Sequence, residues 1–187
     1  MIEVADNFLS PGQWKDLNKV FFDMGHQGIT WGYSPTIVAY GEDKITSTGY
    51  FVHNFLLEGD KSDFYYAIEP LYHKIMELDY EHYPIVSRVK ANLFPRTSTV
   101  EQHAYHYDMT AIVEETKEHI PLPHINAVYI LNNSDGYTAF EDGSKIASVA
   151  NRMIVFDGAI KHASTSCTNE QCRISINFNF IPEDSNA

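Results

Sequence analysis

The sequence is poor in cysteine, has fewer basic than acidic residues and contains no long apolar run. Its two cysteines, Cys167 and Cys172, are too few for a disulfide scaffold or a cysteine-based metal site. We expect free thiols, although the short polar turn between them also allows a cross-hairpin disulfide. Because no apolar stretch reaches membrane-spanning length and the N-terminus lacks a basic-then-apolar pattern, we expect a soluble, cytoplasmic protein with no membrane partner.

The shortage of positive charge also restricts the class of partner. Lysine and arginine number 13 against 25 acidic residues, which gives a formal net charge of -12. A surface of that sign repels a phosphate backbone, so nucleic acid is disfavoured as a partner. What the chain does contain is 44% hydrophobic and 13% aromatic residues, enough for one packed interior. We therefore predict a single domain over residues 1–187 and leave its oligomeric state open.

Two amphipathic helices are predicted in the N-terminal support region, residues 1–85. Ser10 and Gln13 have the spacing of a capping box, with a proline at the first helical position, and this helix should run to about Met24. A second helix should begin near Ser62, because apolar residues recur there at three- and four-residue spacing. Each helix has one apolar stripe and therefore needs a surface to cover.

From about residue 86 the hydrophobic period changes to two, which is typical of strands. The pattern predicts a mainly β fold: a double-stranded β-helix, or jelly roll, of eight core strands, with the two helices packed on the outer face of one sheet. Residues 86–181 would form this catalytic core, and Thr36–Tyr40 and Gly49–His53 would extend one sheet. The eight predicted strands are 86–94, 100–108, 124–132, 137–141, 145–149, 152–157, 161–167 and 172–181.

One predicted connection, residues 109–123, is longer than the others and carries several charges. Connections of that length within a compact domain are usually functional or mobile. Because this one directly follows Asp108, a candidate site residue, we hypothesise that it is a lid that becomes ordered when substrate binds.

A histidine and an aspartate end the second predicted strand. His106 and Asp108 are two residues apart, so on a strand both side chains point to the same side. His162 begins the seventh predicted strand, which neighbours the second in a jelly roll. Two imidazoles and one carboxylate with other positions open form the ligand set of non-haem iron(II) oxygenases. The alternative is a histidine merely hydrogen-bonded to a carboxylate. His103 competes for the ligand role, but strand parity places it on the opposite face and favours a structural role.

The last predicted strand alternates strictly between apolar and polar residues. Arg173, Ser175, Asn177 and Asn179 share one face, and the isoleucines and phenylalanines between them share the other. An arginine that points into a barrel is costly unless it meets an anion, and its planar fork matches a carboxylate. No acidic residue is an obvious partner in the sequence. We therefore expect a ligand carboxylate, with a structural salt bridge as the alternative.

The His-Tyr-Asp motif, the distal histidine and the Arg-Ile-Ser motif, in this order and spacing, resemble the 2-oxoglutarate/Fe(II) oxygenase superfamily. The prolyl-4-hydroxylase-like branch is the most similar, and Tyr129–Asn132 and Thr138–Gly143 resemble consecutive strands of that branch. The stretches KANLFPRT, NRMIVFD and RISINFNF also resemble small oxygenases encoded by tailed bacteriophages, which suggests a phage-infected host cell as the location. The resemblance covers residues 86–181.

The resemblance implies a role for each motif residue. The ligands of Fe(II) would be His106, Asp108 and His162. The distal carboxylate of 2-oxoglutarate would be bound by Arg173, assisted by Ser175, and Asn92 would hydrogen-bond the cosubstrate.

The implied reaction is hydroxylation of an unactivated C–H bond with 2-oxoglutarate and O2, with ascorbate as support. The substrate would be a peptide or a small molecule, with peptidyl or free proline as the family-level expectation. Tyr105 and Tyr107 are candidates to line the substrate groove, although aromatic residues more often serve packing. The rival interpretation is a jelly-roll protein that binds a metal or a sugar without oxygen chemistry, because one fold hosts many functions.

Overall fold

The computed structural model describes residues 1–22, 28–36, 49–78 and 85–183. Within these ranges the chain is mainly β, with the helices α1 (Pro11–Phe22) and α2 (Glu69–Met76). The strands are β1 (Ile2–Ala5), β2 (Gly32–Ser34), β3 (Tyr50–Leu57), β4 (Asp60–Lys61), β5 (Ile85–Pro95), β6 (Thr110–Val113), β7 (Glu118–Pro121), β8 (Ile125–Ile130), β9 (Tyr137–Phe140), β10 (Lys145–Ala147), β11 (Arg152–Asp157), β12 (His162–Ala163) and β13 (Cys172–Ile181). None of the described helices is long and apolar enough to cross a membrane.

The first helix begins where its capping residues predict. Ser10 Oγ accepts a hydrogen bond from the Gln13 backbone N–H at 3.4 Å, and Gln13 Oε1 accepts one from the Ser10 N–H at 3.1 Å. This reciprocal pair satisfies two backbone donors at the start of the helix. The predicted start is therefore confirmed, whereas the predicted end, Met24, lies outside the described residues.

The second helix begins later than its apolar stripe predicts. A 3₁₀ turn at Tyr65–Ile68 precedes α2, which starts at Glu69. Before that turn, the Ser62 hydroxyl accepts a hydrogen bond from the Phe64 backbone N–H at 3.3 Å. A serine that binds its neighbouring backbone in this way competes with helix formation. The predicted start at Ser62 is therefore wrong.

The strands form a large sheet, a small sheet and a separate hairpin, and every strand pairing is antiparallel. The large sheet has eight strands in the order β1-β11-β8-β13-β5-β3-β2, with β4 also paired to β3. The small sheet has the order β10-β9-β12, and β6 and β7 form the hairpin. These antiparallel sheets are consistent with a jelly-roll oxygenase fold.

Two predicted strands are largely irregular in the structure. Residues 100–108 run beside 161–167, but isolated bridges join the two segments in place of a continuous ladder. Serine side chains take part in the contact: Ser166 Oγ accepts a hydrogen bond from the Glu101 backbone N–H at 2.9 Å. Because side-chain bonds replace part of the ladder, only the short strand β12 remains of the second segment.

At the edges of the large sheet, one predicted strand is confirmed, another is not, and a further strand was not predicted. The predicted extension at Gly49–His53 is confirmed, since β3 pairs with β5. Of Thr36–Tyr40, Thr36 is not in a strand and the rest lies outside the described residues. Strand β1 was not predicted; it pairs with β11, where the Arg152 guanidinium and the Asp6 carboxylate form an ion pair at 2.6 Å.

Alternation along β13 separates two buried faces. Ile176 and Phe178 belong to the largest apolar cluster, together with Leu17 of α1 and Leu71 of α2. This face of the large sheet therefore buries apolar side chains from both helices. The other face carries the polar residues of β13 and is flanked by a second cluster of Val128, Ile130, Phe140, Ile154 and Phe156. Both cysteines are free, as expected.

Candidate active site

The structure brings His106, Asp108 and His162 together. The antiparallel bridge between His106 and His162 holds their backbones side by side, with N–O distances of 3.0 and 3.1 Å. His106 Nε2 lies 3.8 Å from Asp108 Oδ1, and His162 Nε2 lies 3.7 Å from Oδ2 of the same carboxylate. Ligand atoms of the three residues all fall within 4.8 Å of one another, so these side chains form a candidate metal centre.

The protonation states of His162 and Asp108 suit metal binding. Burial lowers the pKa of His162 to about 4, so its imidazole is neutral at pH 7. Burial alone raises the pKa of Asp108, but His162 and Arg88, together with smaller contributions from His106 and Lys90, outweigh burial and hold that pKa below its ordinary value. Neutral imidazole and ionised carboxylate are the forms that bind metal ions.

A row of polar side chains on three adjacent strands supports Asp108. Arg88 on β5, Asn179 on β13 and Asn126 on β8 occupy one cross-strand register. Asn179 Nδ2 donates to Asp108 Oδ2 at 3.2 Å and to Asn126 Oδ1 at 2.6 Å. Asn179 Oδ1 accepts a hydrogen bond from Arg88 Nε at 2.8 Å, and Arg88 Nη2 lies 3.2 Å from Asp108 Oδ1. These contacts orient the carboxylate toward the two histidines.

The sequence analysis placed Asn179 on the polar face but missed Arg88 and Asn126. Strand parity was a usable signal for Arg88, because it lies four positions before Asn92 and therefore faces the same side of β5. The place of Asn126 depends on the register between β8 and β13, which no local pattern reports.

A narrow chamber extends from the candidate metal centre along β5 and β13. Successive cross-strand pairs line it: Lys90 with Asn177, Asn92 with Ser175, and Phe94 with Arg173. The three residues predicted to bind a cosubstrate, Asn92, Ser175 and Arg173, are therefore buried around the same space as the two histidines and Asp108. Successive pairs lie about 6.6–6.8 Å apart along a strand, so polar groups are offered at intervals through the chamber.

Arg173 is only partly satisfied by protein groups. Its Nε donates to Ser148 Oγ at 2.6 Å, and its Nη2 donates to Thr138 Oγ1 at 3.0 Å. Its Nη1 is buried and has no hydrogen-bond partner among the described residues. Burial lowers the pKa of Arg173 to about 10, so the guanidinium stays charged at neutral pH. A buried charge with a free N–H edge suits an anion, and its planar shape favours a carboxylate.

His103, the competing histidine, lies outside the candidate metal centre. Its Nδ1 is 2.8 Å from Ser164 Oγ, and its ring centroid is 5.1 Å from that of Phe94. Burial and, to a smaller extent, the charge of Arg173 lower the pKa of His103 to about 4. These contacts fit the structural role that we predicted for His103, although the segment that carries it is irregular and strand parity does not apply there.

A wide cleft of about 890 Å³ opens outward from the candidate metal centre. Tyr105 and Tyr107, the predicted groove residues, both line it. The Tyr105 hydroxyl donates to the backbone carbonyl of Phe140 at 3.2 Å, and Lys161 Nζ lies 5.5 Å from the centroid of the Tyr107 ring. Four residues line both the chamber and the cleft: Tyr50, Lys90, His106 and Asp108.

The segment 109–123 contains the hairpin β6–β7, where the sequence analysis expected only a long connection. Its signal was the β-branched strand β6 followed by a polar turn, which Lys117 closes with a φ of 59°. Thr110 Oγ1 and His119 Nδ1 are 3.1 Å apart across the hairpin. These two residues and Ile112 share the face that lines the cleft.

No protein-family model and no curated protein sequence matches the chain. Solved structures match its fold. A prolyl hydroxylase from Trichoplax adhaerens, in complex with a peptide fragment of a hypoxia inducible factor, has a TM-score of 0.68 and 14% identity, over 97% of this chain and 84% of that one. A prolyl-4-hydroxylase from Pseudomonas putida has a TM-score of 0.57 and 15% identity, over 96% and 92% of the two chains.

A third structure, HygX from Streptomyces hygroscopicus with nickel, 2-oxoglutarate and hygromycin B bound, has a TM-score of 0.62 and 8% identity, over 98% and 83% of the two chains. The fold of this chain is therefore that of prolyl hydroxylases and 2-oxoglutarate/Fe(II) oxygenases, as the sequence resemblance implies. Identities this low show a shared fold only, so the roles of individual residues rest on the geometry of this site.

Proposed function

We propose that this protein is a 2-oxoglutarate- and Fe(II)-dependent dioxygenase that hydroxylates an unactivated C–H bond. One observation carries the proposal: the cluster of His106, Asp108 and His162 and the free guanidinium edge of Arg173 face the same chamber. A metal centre and a carboxylate site within one chamber are what a 2-oxo acid cosubstrate with a distal carboxylate requires.

The residues present fit an iron(II) ion. His162 Nε2 is buried without a hydrogen-bond partner among the described residues, a costly arrangement unless a ligand binds that atom. Two imidazoles and one carboxylate leave the remaining positions of a six-coordinate ion open. When bound, iron(II) would couple the oxidative decarboxylation of 2-oxoglutarate by O2, which yields succinate and CO2, to conversion of R–H into R–OH.

The chain's own residues bind and orient in this scheme. Arg173 would hold the distal carboxylate of 2-oxoglutarate, with Ser175 and Asn92 offering polar groups to the same molecule. Arg88 and Asn179 would keep Asp108 in the orientation that the metal requires. The buried walls of the chamber would exclude water from the cosubstrate.

The substrate in this proposal is a peptide or a small molecule, and proline, peptidyl or free, is the family-level expectation. Fold relatives include a complex with a peptide and one with hygromycin B, so the fold accepts either kind of ligand. Tyr105 and Tyr107 would contact the substrate, since both line the outer cleft. The encoding of this chain by a phage stays a prediction from the sequence resemblance.

A protein that binds only a metal or a sugar is the rival function. Arg173 argues against it, because a buried charge whose Nη1 has no partner in the described part of the chain serves no purpose in the coordination of a cation. A neutral sugar does not compensate that charge either.

Turnover of 2-oxoglutarate tests the proposal. Purified protein with Fe(II), O2 and ascorbate should convert 2-oxoglutarate to succinate even without the prime substrate. His106→Ala and Asp108→Ala should abolish this turnover and lose iron while the fold persists, because the core is built on the opposite, apolar face. His73→Ala, which removes an exposed histidine of α2, is the matched control. Wild-type iron affinity and activity in both ligand variants would refute the assignment.

The hairpin β6–β7 is the proposed lid over the cleft. Its backbone amides should exchange with solvent rapidly in the substrate-free enzyme and more slowly once substrate fills the cleft. Hydrogen exchange followed by mass spectrometry over residues 109–123 measures this, and uniformly slow exchange without substrate would contradict a lid.

A further inference from the structure

The cleft and the chamber carry a positive charge that the rest of the chain does not share. Among the described residues that line them, four are basic and two are acidic, a net charge of +2 if the histidines are neutral. The whole chain carries -12. The basic residues are Arg88, Lys90, Lys161 and Arg173, and the acidic residues are Glu58 and Asp108.

Three of the four basic residues have an assigned partner. Arg88 Nη2 pairs with Asp108 at 3.2 Å, and Lys161 Nζ lies 3.5 Å from Glu141 Oε1. Arg173, under the proposed function, pairs with the distal carboxylate of 2-oxoglutarate.

Lys90 is the remaining cation. Its Nζ makes no hydrogen bond or ion pair with any described residue and lies 5.8 Å from the centroid of the Tyr50 ring. The side chain is only partly exposed. A half-buried ammonium without an acceptor among the described residues costs free energy unless an anion binds it, and a ligand in the cleft can supply that anion.

The position of Lys90 identifies where that anion would sit. On β5 it lies between Arg88, which supports the candidate metal ligand Asp108, and Asn92, which faces the cosubstrate chamber. Lys90 lines both the chamber and the outer cleft. An anion bound there from the cleft side would lie next to the candidate metal centre.

We propose that Lys90 binds a carboxylate group of the prime substrate, and that the substrate class is therefore a carboxylic acid. This rests on the proposed function. The two carboxylates of 2-oxoglutarate are taken by the metal and by Arg173, and its two negative charges cancel the two positive charges of iron(II). Of the surplus of +2, one charge is compensated by Glu141, the partner of Lys161, so a surplus of +1 remains for the substrate, and Lys90 is the cation without a partner among the described residues.

Binding of matched acids and amides tests this inference without turnover. The probes are acetate, benzoate and N-acetyl-L-proline, each paired with its carboxamide, added to anaerobic protein loaded with Fe(II) and 2-oxoglutarate. Paramagnetic broadening of the probe signals in NMR reports binding near the metal. Each acid that binds should bind wild type about 10- to 150-fold more tightly than its amide, the range expected for a hydrogen bond to a charged group. Lys90→Met should lose this preference, whereas Lys15→Met, which removes an exposed lysine of α1, should keep it.

The outcomes separate the possible sources of the carboxylate. A preference for acids that persists in Lys90→Met, or that is absent from wild type for all three pairs, overturns the inference. A loss of 2-oxoglutarate affinity in Lys90→Met with an unchanged preference would assign Lys90 to the cosubstrate and overturn it as well. The proposed function fails separately, if wild type neither binds nor consumes 2-oxoglutarate.

Discussion

The two faces of strand β13 are both buried, but one is apolar and the other is polar. On one face Ile176 and Phe178 are fully buried among apolar side chains. On the other face Arg173, Ser175 and Asn179 are equally inaccessible, but each carries groups that require hydrogen bonds. Apolar burial is non-directional and contributes stability, whereas buried polar groups contribute only when their partners are placed correctly. A strand with two such faces can stabilise the fold with one and bind ligands with the other.

The polar face is itself divided. At one end Asn179 uses its side-chain amide fully, through Arg88, Asn126 and Asp108. At the other end Arg173 leaves a buried N–H group without a partner among the described residues. Asn126 beside Asn179 also keeps a buried Nδ2 without a partner among the described residues, but it is neutral. A charged group left without a partner, as at Arg173, is the one for which an anionic ligand is expected.

The largest stability effect is expected on the apolar face. Phe178→Ala should lower the free energy of unfolding by about 3–5 kcal/mol, because it removes a fully buried ring and leaves a cavity. Urea denaturation measures the loss, with Phe22→Ala as control because Phe22 is 47% exposed. The folded fraction should still bind 2-oxoglutarate. If Phe178→Ala also lowered the free energy of 2-oxoglutarate binding to the folded protein by about the same amount, the assignment of stability to one face and ligand binding to the other would be wrong.

A comparable effect on binding is expected on the polar face. Arg173→Leu should weaken 2-oxoglutarate binding by about 30-fold to several thousandfold, the consequence of losing about 2–5 kcal/mol from a buried charge pair. The free energy of unfolding should stay the same or rise, because the variant removes a buried charge. Arg173→Lys keeps the charge but loses the planar fork, so its 2-oxoglutarate affinity should lie between those of wild type and Arg173→Leu.

Titration of 2-oxoglutarate into anaerobic, Fe(II)-loaded protein, followed by its visible charge-transfer band, measures these affinities. Arg96→Leu, at an exposed position, is the control for charge removal. Equal affinities in wild type, Arg173→Leu and Arg173→Lys would make Arg173 structural and remove the main argument for a 2-oxo acid.

A smaller effect on ligand binding is expected at the end of the polar face where Asn179 positions Asp108. Asn179→Ala should weaken iron binding by about 10- to 100-fold, the usual range for residues that orient a metal ligand. Its effect on 2-oxoglutarate affinity at saturating iron should be smaller. Metal titration compares the variant with Asn54→Ala, an exposed asparagine on β3. Unchanged iron affinity would show that Asp108 is held by Arg88 without help from Asn179.

The smallest effect is expected from Ser175, which has one hydroxyl to offer. Ser175→Ala should reduce 2-oxoglutarate affinity by about 2- to 10-fold, the value of one hydrogen bond. The exposed Ser98 supplies the control, Ser98→Ala. A loss as large as that of Arg173→Leu would mean that Ser175 positions the arginine as well as the ligand.

Local chemistry explains which elements were predictable. The start of α1 follows from Ser10 and Gln13, which bind each other's backbone within one turn. The faces of β13 follow from a period of two. The hairpin β6–β7 was missed because its charged turn looked like part of a loop, and the irregular segment 100–108 was missed because serine hydroxyls from a distant segment replace its ladder.

The sequence by itself determined that Arg173 and Ser175 share a face, because alternation along a strand is a local property. The spacing of two residues also brought His106 and Asp108 into one candidate site, although the structure holds them in an irregular segment. Only the tertiary structure decided which faces meet. The row of Arg88, Asn179 and Asn126 exists because three strands distant in sequence pair in one register. Register between distant strands depends on the packing of the whole sheet, so it is absent from any local pattern.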